Sequence, residues 1–348
     1  MKALVKEKLG FGNLNLLTVE EPTVKEGQVK IEVKYTGICG SDLHTYEGDY
    51  QVNAPVTLGH EFAGVVVEVG PGVTGFQVGD RVTSETTFSV CDKCRYCRSG
   101  DYNLCNRRKG LGTQVNGGFA KYLVANARHV HKLPENVDDA SASLTEPLAC
   151  AYHAIQKTHI KPGDVAVVLG PGPIGLLTAQ VAKSYGATVV ITGLDHDQTR
   201  LNKAIELGID IAVNIERTNV TAIVNELTDG YGADLVFECT GAVSAANTGL
   251  DLLAKKGEYI QIGIFPKAMI EIDFKKIIQK EIRVIGTRSQ KSADWEPSLA
   301  MLNDQRVNGK TLITHTFTIA EWNKAYQTIK SGEAIKVSLV PVEVEGTE

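Results

Sequence analysis

Five apolar residues, Val165–Leu169, run directly into Gly170-Pro171-Gly172-Pro173-Ile174-Gly175 and then into a further apolar stretch reaching about Tyr185. A buried-type strand, a turn of spaced glycines and an apolar helix can be joined in few ways. Gly170 suits a tight turn, and Gly172 leaves the backbone bare where a diphosphate could approach. Gly175 lets the helix lie close on a sheet. The helix that opens at Pro173 and Ile174 would present the free N–H groups of its first turn and a positive dipole end to phosphate. An ordinary Gly-Pro turn is the plainer alternative.

The sequence continues in the same rhythm. Thr188–Thr192 reads as a strand, the stretch around Gln198–Leu207 as a helix, and Leu235–Glu238 and Tyr259–Ile262 as strands. Strands alternating with helices imply a parallel sheet covered on both faces. An acidic residue about 20 positions past the glycine turn normally meets the ribose hydroxyls of NAD. Gly193 stands at that place, with Asp195 and Asp197 just beyond. Either carboxylate would repel a 2′-phosphate, which favours NAD and leaves NADP open. Both also read as plain turn residues, Asp197 as the cap of the next helix.

Residues 1 to about 150 are different. Gly, Val and Thr are frequent, and short apolar runs (Val29–Tyr35, Ala63–Val69, Arg81–Thr83) are separated by turn signals such as Gly70-Pro71-Gly72 and Gly79-Asp80. This is an irregular β domain. The end of the chain, Val337–Val344, is strand-like again. A chain of 348 residues exceeds one ordinary core, so two domains are expected.

Four of the seven cysteines crowd into one short stretch: Cys91, Cys94, Cys97 and Cys105, spaced C-x2-C-x2-C-x7-C. Four thiolates meet the tetrahedral preference of a structural Zn²⁺, and leave no position open for chemistry. An iron–sulfur cluster is the rival use of the same donors. Asp92, Lys93, Arg95 and Arg98 interleave with them, so the cluster sits in an exposed lobe. Cys39 and Gly59-His60-Glu61 supply a second set of zinc-ligating types about 20 residues apart, and three protein ligands with one open position make a catalytic site.

These elements together resemble the medium-chain zinc-dependent alcohol dehydrogenase superfamily. Gly59-His60-Glu61-x2-Gly64-x5-Gly70-x2-Val73 is similar to its zinc signature, and Cys39-Gly40-Ser41-Asp42, the cysteine lobe and Gly170–Gly175 follow in its order. Glu146-Pro147-Leu148 resembles the sorbitol (polyol) and threonine dehydrogenase branch. The resemblance implies an α/β fold: a GroES-like β-rich catalytic domain (1–150) and a doubly wound Rossmann domain (151–285), with 286–348 returning to the first domain and a substrate cleft between them. It implies two Zn²⁺ per chain, one structural in the lobe and one catalytic on Cys39, His60 and Glu61. Glu146 would be a fourth ligand or the partner of the water on the ion, with Cys150 as rival ligand. Ser41 and His44 would carry a proton from the site, and Asp42 would orient His60. Thr240, Gly263 and Ile264 would touch the cofactor beside Gly170, Gly172, Pro173, Ile174, Gly175 and Asp195. Arg288, with Lys291 near it, would meet substrate, and its guanidinium suits hydroxyls and phosphate alike.

The expected reaction is oxidation of a secondary hydroxyl of a pentitol, hexitol or their phosphates to a ketone. L-threonine 3-dehydrogenase-like activity is the rival within this chemistry, and a non-catalytic zinc-holding structural or sensor protein is the rival outside it. A net charge of −5 gives no general pull toward nucleic acid or anionic membrane, although a local basic pocket stays open. Met1–Gly10 has charged residues and no apolar core of a signal peptide, and no run approaches ~20 apolar residues. Cytoplasmic location and a homo-oligomer, dimer or tetramer, are expected.

Overall fold

The computed structural model describes residues 1–341, and the last part of the Val337–Val344 reading, from 342 on, lies outside them. The chain divides into two compact units: Met1–Ala149 joined by residues from Gln290 onward, and Cys150–Ser289.

The first unit is built on a seven-stranded, mainly antiparallel sheet. Its central strand, Gln28–Gly37, pairs with Glu61–Val69, with Tyr122–Asn126 and with Lys336–Val340. Alternation explains the central strand: Val29, Ile31 and Val33 face a core with Phe62, Val66, Val82 and Leu123, while the residues between them point away. Strand Lys336–Val340 lies between Gln28–Gly37 and a parallel neighbour, Ile313–Thr318. Three strand ends therefore meet. Gly37 pairs with Glu61 at one side and with Ser338 at the other. Cys39, His60, Glu61 and Lys336 all sit at or next to these ends.

The second unit contains six parallel strands: β1 (Val165–Leu169), β2 (Thr188–Gly193), β3 (Ile211–Asn214), β4 (Ala233–Glu238), β5 (Leu253–Gln261) and β6 (Arg283–Gly286). Their order in the sheet is 3-2-1-4-5-6, the doubly wound arrangement. β1 is buried along its whole length, as a strand covered on both faces must be. Helix Pro173–Ser184 follows at once, with Gly172 as N-cap and Pro173 in its first turn. β5 begins earlier than the Tyr259–Ile262 run read from sequence: buried Leu253 starts it, and the exposed Lys255 and Lys256 follow, Lys256 with a positive φ of 65°.

Candidate functional site

Cys39 ends the approach from the central strand and caps helix Gly40–Glu47. Asp42 closes that first turn: its Oδ2 accepts from the Cys39 N–H at 2.9 Å. His60 follows Gly59, whose φ of +88° turns the chain into the next strand. A Cβ at Gly59 would lie 2.3 Å from the Phe119 ring, so glycine is required there on two counts. One ligand-type atom each from Cys39, His60 and Glu61 lie within 4.8 Å of one another. His60 and Glu61 are buried and Cys39 is partly so.

The pocket's charge is unbalanced. Burial pulls His60 down, but Asp42, Cys39 and Glu146 outweigh it and hold the imidazole well above its usual range. Burial raises Glu146, and Glu61 adds to the rise against the pull of His60. Lys336 is the fixed cation. Its Nζ is paired with the Glu61 carboxylate and donates to the Ile38 carbonyl at 2.8 Å. A Cβ on Gly37 would intrude on the Glu61 carboxylate at 2.2 Å and on Lys336 Cε at 3.0 Å, so the pair fills the space that this glycine leaves. His60 Nδ1 is buried and has no hydrogen-bond partner among the described residues, and Asp42 Oδ1 stands 3.7 Å away from it. Soft and borderline donors gathered with surplus negative charge fit a divalent ion of the zinc type. Asp42 faces His60 as expected from sequence, at a separation longer than a hydrogen bond.

Glu146 lies near this trio without joining its 4.8 Å set. It sits on helix Thr145–Ile155, and its Oε1 accepts from Thr86 Oγ1 at 2.7 Å and from Gln290 Nε2 at 3.2 Å. Gln290 Nε2 also donates to Thr86 Oγ1 at 2.9 Å. Ser41 and His44 share the helix that Cys39 caps. The His44 ring is about half exposed, and its Nδ1 stands 3.8 Å from Glu47. Cys150, one turn beyond Glu146 on the same helix, lies outside the trio's set.

The four lobe cysteines come together: Cys91–Cys97 3.9 Å, Cys94–Cys97 3.5 Å and Cys105–Cys91 3.6 Å between sulfurs. The N–H groups of Lys93 and Cys94 pull the Cys91 thiol down to about 6. Burial and the three neighbouring sulfurs push Cys97 up to about 12. Four sulfurs so close fit a single tetrahedral ion.

Sequence reasoning missed a buried network beside the lobe. Glu85 accepts from Tyr102 Oη at 2.7 Å and stands 3.2 Å from His129 and 3.5 Å from His131. His131 also meets Glu296 at 2.9 Å and stacks on Trp295. Lys336, Thr86 and Gln290 were missed too.

In the second unit Gly170 has a φ of +96°, and a Cβ there would lie 2.4 Å from Thr240 Cγ2. A Cβ at Gly175 would lie 1.9 Å from the Gly170 carbonyl, whereas Gly172 has open space around it. The helix start has no side-chain cap. Tight, open and tight in turn, with a bare N-terminus, this cradle fits a diphosphate. Gly193 ends β2, and a Cβ there would lie 2.9 Å from Pro171 Cγ and 3.0 Å from Asp197 Cβ. Asp197 is buried and accepts from Leu194 N and Arg200. Asp195 is exposed, its Oδ1 held by Arg217 at 2.6 Å and Asn214 at 2.7 Å. Thr240 and Gly263 follow the ends of β4 and β5, and Ile264 is 75 % exposed. Arg288 is exposed, two residues past β6.

Comparison with known proteins gives the same picture. Residues 25–135 match the alcohol dehydrogenase GroES-like domain, and 173–304 match the zinc-binding dehydrogenase domain. A sorbitol dehydrogenase of Halalkalibacterium halodurans is 63 % identical over 343 residues, covering 99 % of this chain and 100 % of that one. A D-arabitol-phosphate dehydrogenase of Enterococcus avium is 44 % identical, with 97 % of each chain covered. Among solved structures, a zinc-binding dehydrogenase of Sinorhizobium meliloti bound to NADP superposes with a TM-score of 0.91 at 29 % identity, over 98 % of this chain and 99 % of that one. With a zinc-type donor trio, a four-thiolate lobe and a diphosphate cradle on one chain, and both domains matched, the protein belongs to the zinc-binding alcohol dehydrogenase family.

Proposed function

We propose that the protein oxidises a secondary hydroxyl of a polyol or polyol phosphate to the ketone, with NAD as hydride acceptor. The observation that carries this reading is the 63 % identity to a sorbitol dehydrogenase along essentially the whole of both chains. The relative acting on a sugar-alcohol phosphate, at 44 %, keeps the phosphorylated substrate in the same reading.

Cys39, His60 and Glu61 would hold the catalytic zinc, with Glu146 as the nearby fourth carboxylate, and Cys91, Cys94, Cys97 and Cys105 a structural one: two ions per chain. When bound, zinc supplies Lewis acidity that favours the charged form of an alcohol oxygen. The protein's own residues do the remainder. Thr86 and Gln290 fix the Glu146 carboxylate by two hydrogen bonds. Lys336 holds Glu61 against the repulsion of neighbouring negative groups. Ser41 and His44 lie one turn apart on a helix, and the half-exposed His44 ring can pass a proton between Ser41 and solvent. The cradle at Gly170–Gly175, with Thr240, Gly263 and Ile264, would seat NAD, with Asp195 toward the ribose. Arg288 would contact substrate.

A homo-oligomer, dimer or tetramer, belongs to this proposal. Val284 on the edge strand β6 and Phe274 and Ile278 on helix Phe274–Lys280 are all more than half exposed, the kind of surface that copies bury. A cytoplasmic address does too, since seven free thiols suit a reducing compartment. Among the described residues, no helix is long and apolar enough to cross a membrane.

The test is formation of reduced cofactor, read at its absorbance, with free and phosphorylated pentitols and hexitols, L-threonine, and NAD or NADP. Turnover of a polyol or its phosphate with NAD supports the reading. Turnover of threonine alone, or of nothing, overturns it.

A further inference from the structure

Glu238 closes β4 and is completely buried. A carboxylate out of water must find partners for both oxygens. The hydrogen bonds of Glu238 all come from neutral donors on two strand-end loops. Oε1 accepts from Thr240 N at 2.7 Å, from Thr240 Oγ1, and from Gly241 N at 3.1 Å. Oε2 accepts from Gly241 N at 2.9 Å and from Gln261 Nε2 at 2.6 Å. Gln261 Nε2 donates in turn to the Gly263 carbonyl at 2.7 Å, and its own oxygen is held by Tyr259 Oη at 2.8 Å. The backbone carbonyl of Glu238 accepts from both Ile262 and Gly263.

One residue therefore ties the loop after β4 to the loop after β5. The packing around it has no slack. A Cβ on Gly263 would lie 2.3 Å from Gly241 N and 2.8 Å from Glu238 Oε2. A Cβ on Gly241 would lie 2.3 Å from the Ile264 carbonyl. Thr240, held from two sides by Glu238, is also the residue that packs under Gly170, at the start of the glycine turn. Thus the ends of β1, β4 and β5 are set against each other through this carboxylate. Hydrogen bonds to an ionised acceptor are stronger and more exacting in direction than neutral ones. A charged group is useful here because an amide in its place could accept with only one of its two ends.

We propose that Glu238 is a positioning residue for the dinucleotide: its ionised carboxylate fixes the loops 239–241 and 261–264 in the shape that receives the cofactor, without itself being part of the metal chemistry. The proposal rests on the cofactor reading given above, and it assigns a task to a residue that does not itself need to touch the ligand.

Glu238→Gln preserves size and removes the charge. Its amide group must point a donor at Thr240 and Gly241 or at Gln261, where donors already stand. The variant is compared with the unaltered zinc-loaded protein by NADH fluorescence titration, by steady-state kinetics varying NAD and polyol separately, and by thermal unfolding without cofactor. NADH dissociation and the KM for NAD rise tenfold or more, while the KM for the polyol changes by less than threefold. Gln261→Met, which removes one donor and leaves the charge, shows a smaller shift in the same direction and serves in full if Glu238→Gln does not fold. Unchanged NADH binding in both variants, or equal losses for NAD and polyol, overturns the proposal. If the unaltered protein binds no NADH, the cofactor reading itself fails, and the two failures are thereby distinct.

Discussion

Removing the Lys336 ammonium tests how the metal pocket balances its charge. Lys336 and Glu61 are 4 % and 1 % exposed at their side chains, and their ion pair stands beside Cys39 and Glu146. In Lys336→Met the Glu61 carboxylate keeps its burial and loses its counter-ion. Two unit charges 4 Å apart at an effective dielectric near 20 attract by about 4 kcal/mol. Stranding one partner of a buried pair typically costs about 3–5 kcal/mol. Metal-free Lys336→Met is therefore expected to lose roughly 3–5 kcal/mol of unfolding free energy. A dication bound at Cys39, His60 and Glu61 replaces much of the missing positive charge, so the zinc-loaded variant should lose less than about half as much. Glu61→Gln in the same chain removes the stranded charge, so the metal-free double variant should recover most of the stability lost by the single one. Urea unfolding of the unaltered protein and Lys336→Met with and without zinc, and of the metal-free double variant, measures each quantity. Equal losses with and without zinc, or a double variant no more stable than Lys336→Met, would refute the reasoning.

The lobe and the donor trio should lose metal independently. Cys97→Ser is expected to leave about one zinc per chain with the trio intact, and Cys39→Ser about one with the lobe intact, by elemental analysis of purified protein. The network around Glu85 should give stability a pH dependence with two flanks. Burial lowers His131, but Glu85 and Glu296 raise it further, so its contribution is complete below about pH 6.5 and is lost as pH rises through the higher folded value. Burial raises Glu85, but His129, His131 and Tyr102 bring it below its usual range, so its contribution is complete above about pH 4.5 and is lost as pH falls. As pH rises above 6.5 the unaltered protein should lose stability that His131→Gln does not lose, by urea unfolding at each pH.

What the sequence revealed was whatever depends on near neighbours. β1, the glycine turn and the following helix are contiguous, and one run of residues carries both strand burial and the turn. The lobe was legible because its four thiols lie within fifteen positions. Cys39, His60 and Glu61 were legible through their spacing and company. Lys336 was not, because a lysine opening an apolar strand reads as a solvated strand end, and only the pairing of that strand with Gln28–Gly37 brings it to Glu61. Gln290 was lost for the same reason: its partners Thr86 and Glu146 are 204 and 144 positions away. The missing acid at Gly193 was visible as an absence, but the closeness of Pro171, whose Cγ would lie 2.9 Å from a Cβ there, needed three dimensions. His129 and His131 are two residues apart, but Glu85, the carboxylate that joins them, is 46 positions from His131, so the trio shows no pattern in the sequence.

The strand Lys336–Val340 has a consequence for the order of assembly. During synthesis the three zinc-type donors emerge before the nucleotide-type unit, while the lysine that neutralises one of them arrives only after the whole of that unit has been made. That inserted unit is one continuous segment and can complete its sheet while the first is still open. Until the late strand slots in beside Gln28–Gly37, the nascent pocket has surplus anionic groups and an unfilled sheet position, so an early-arriving cation and a late-arriving ammonium are alternative ways to quiet the same carboxylate.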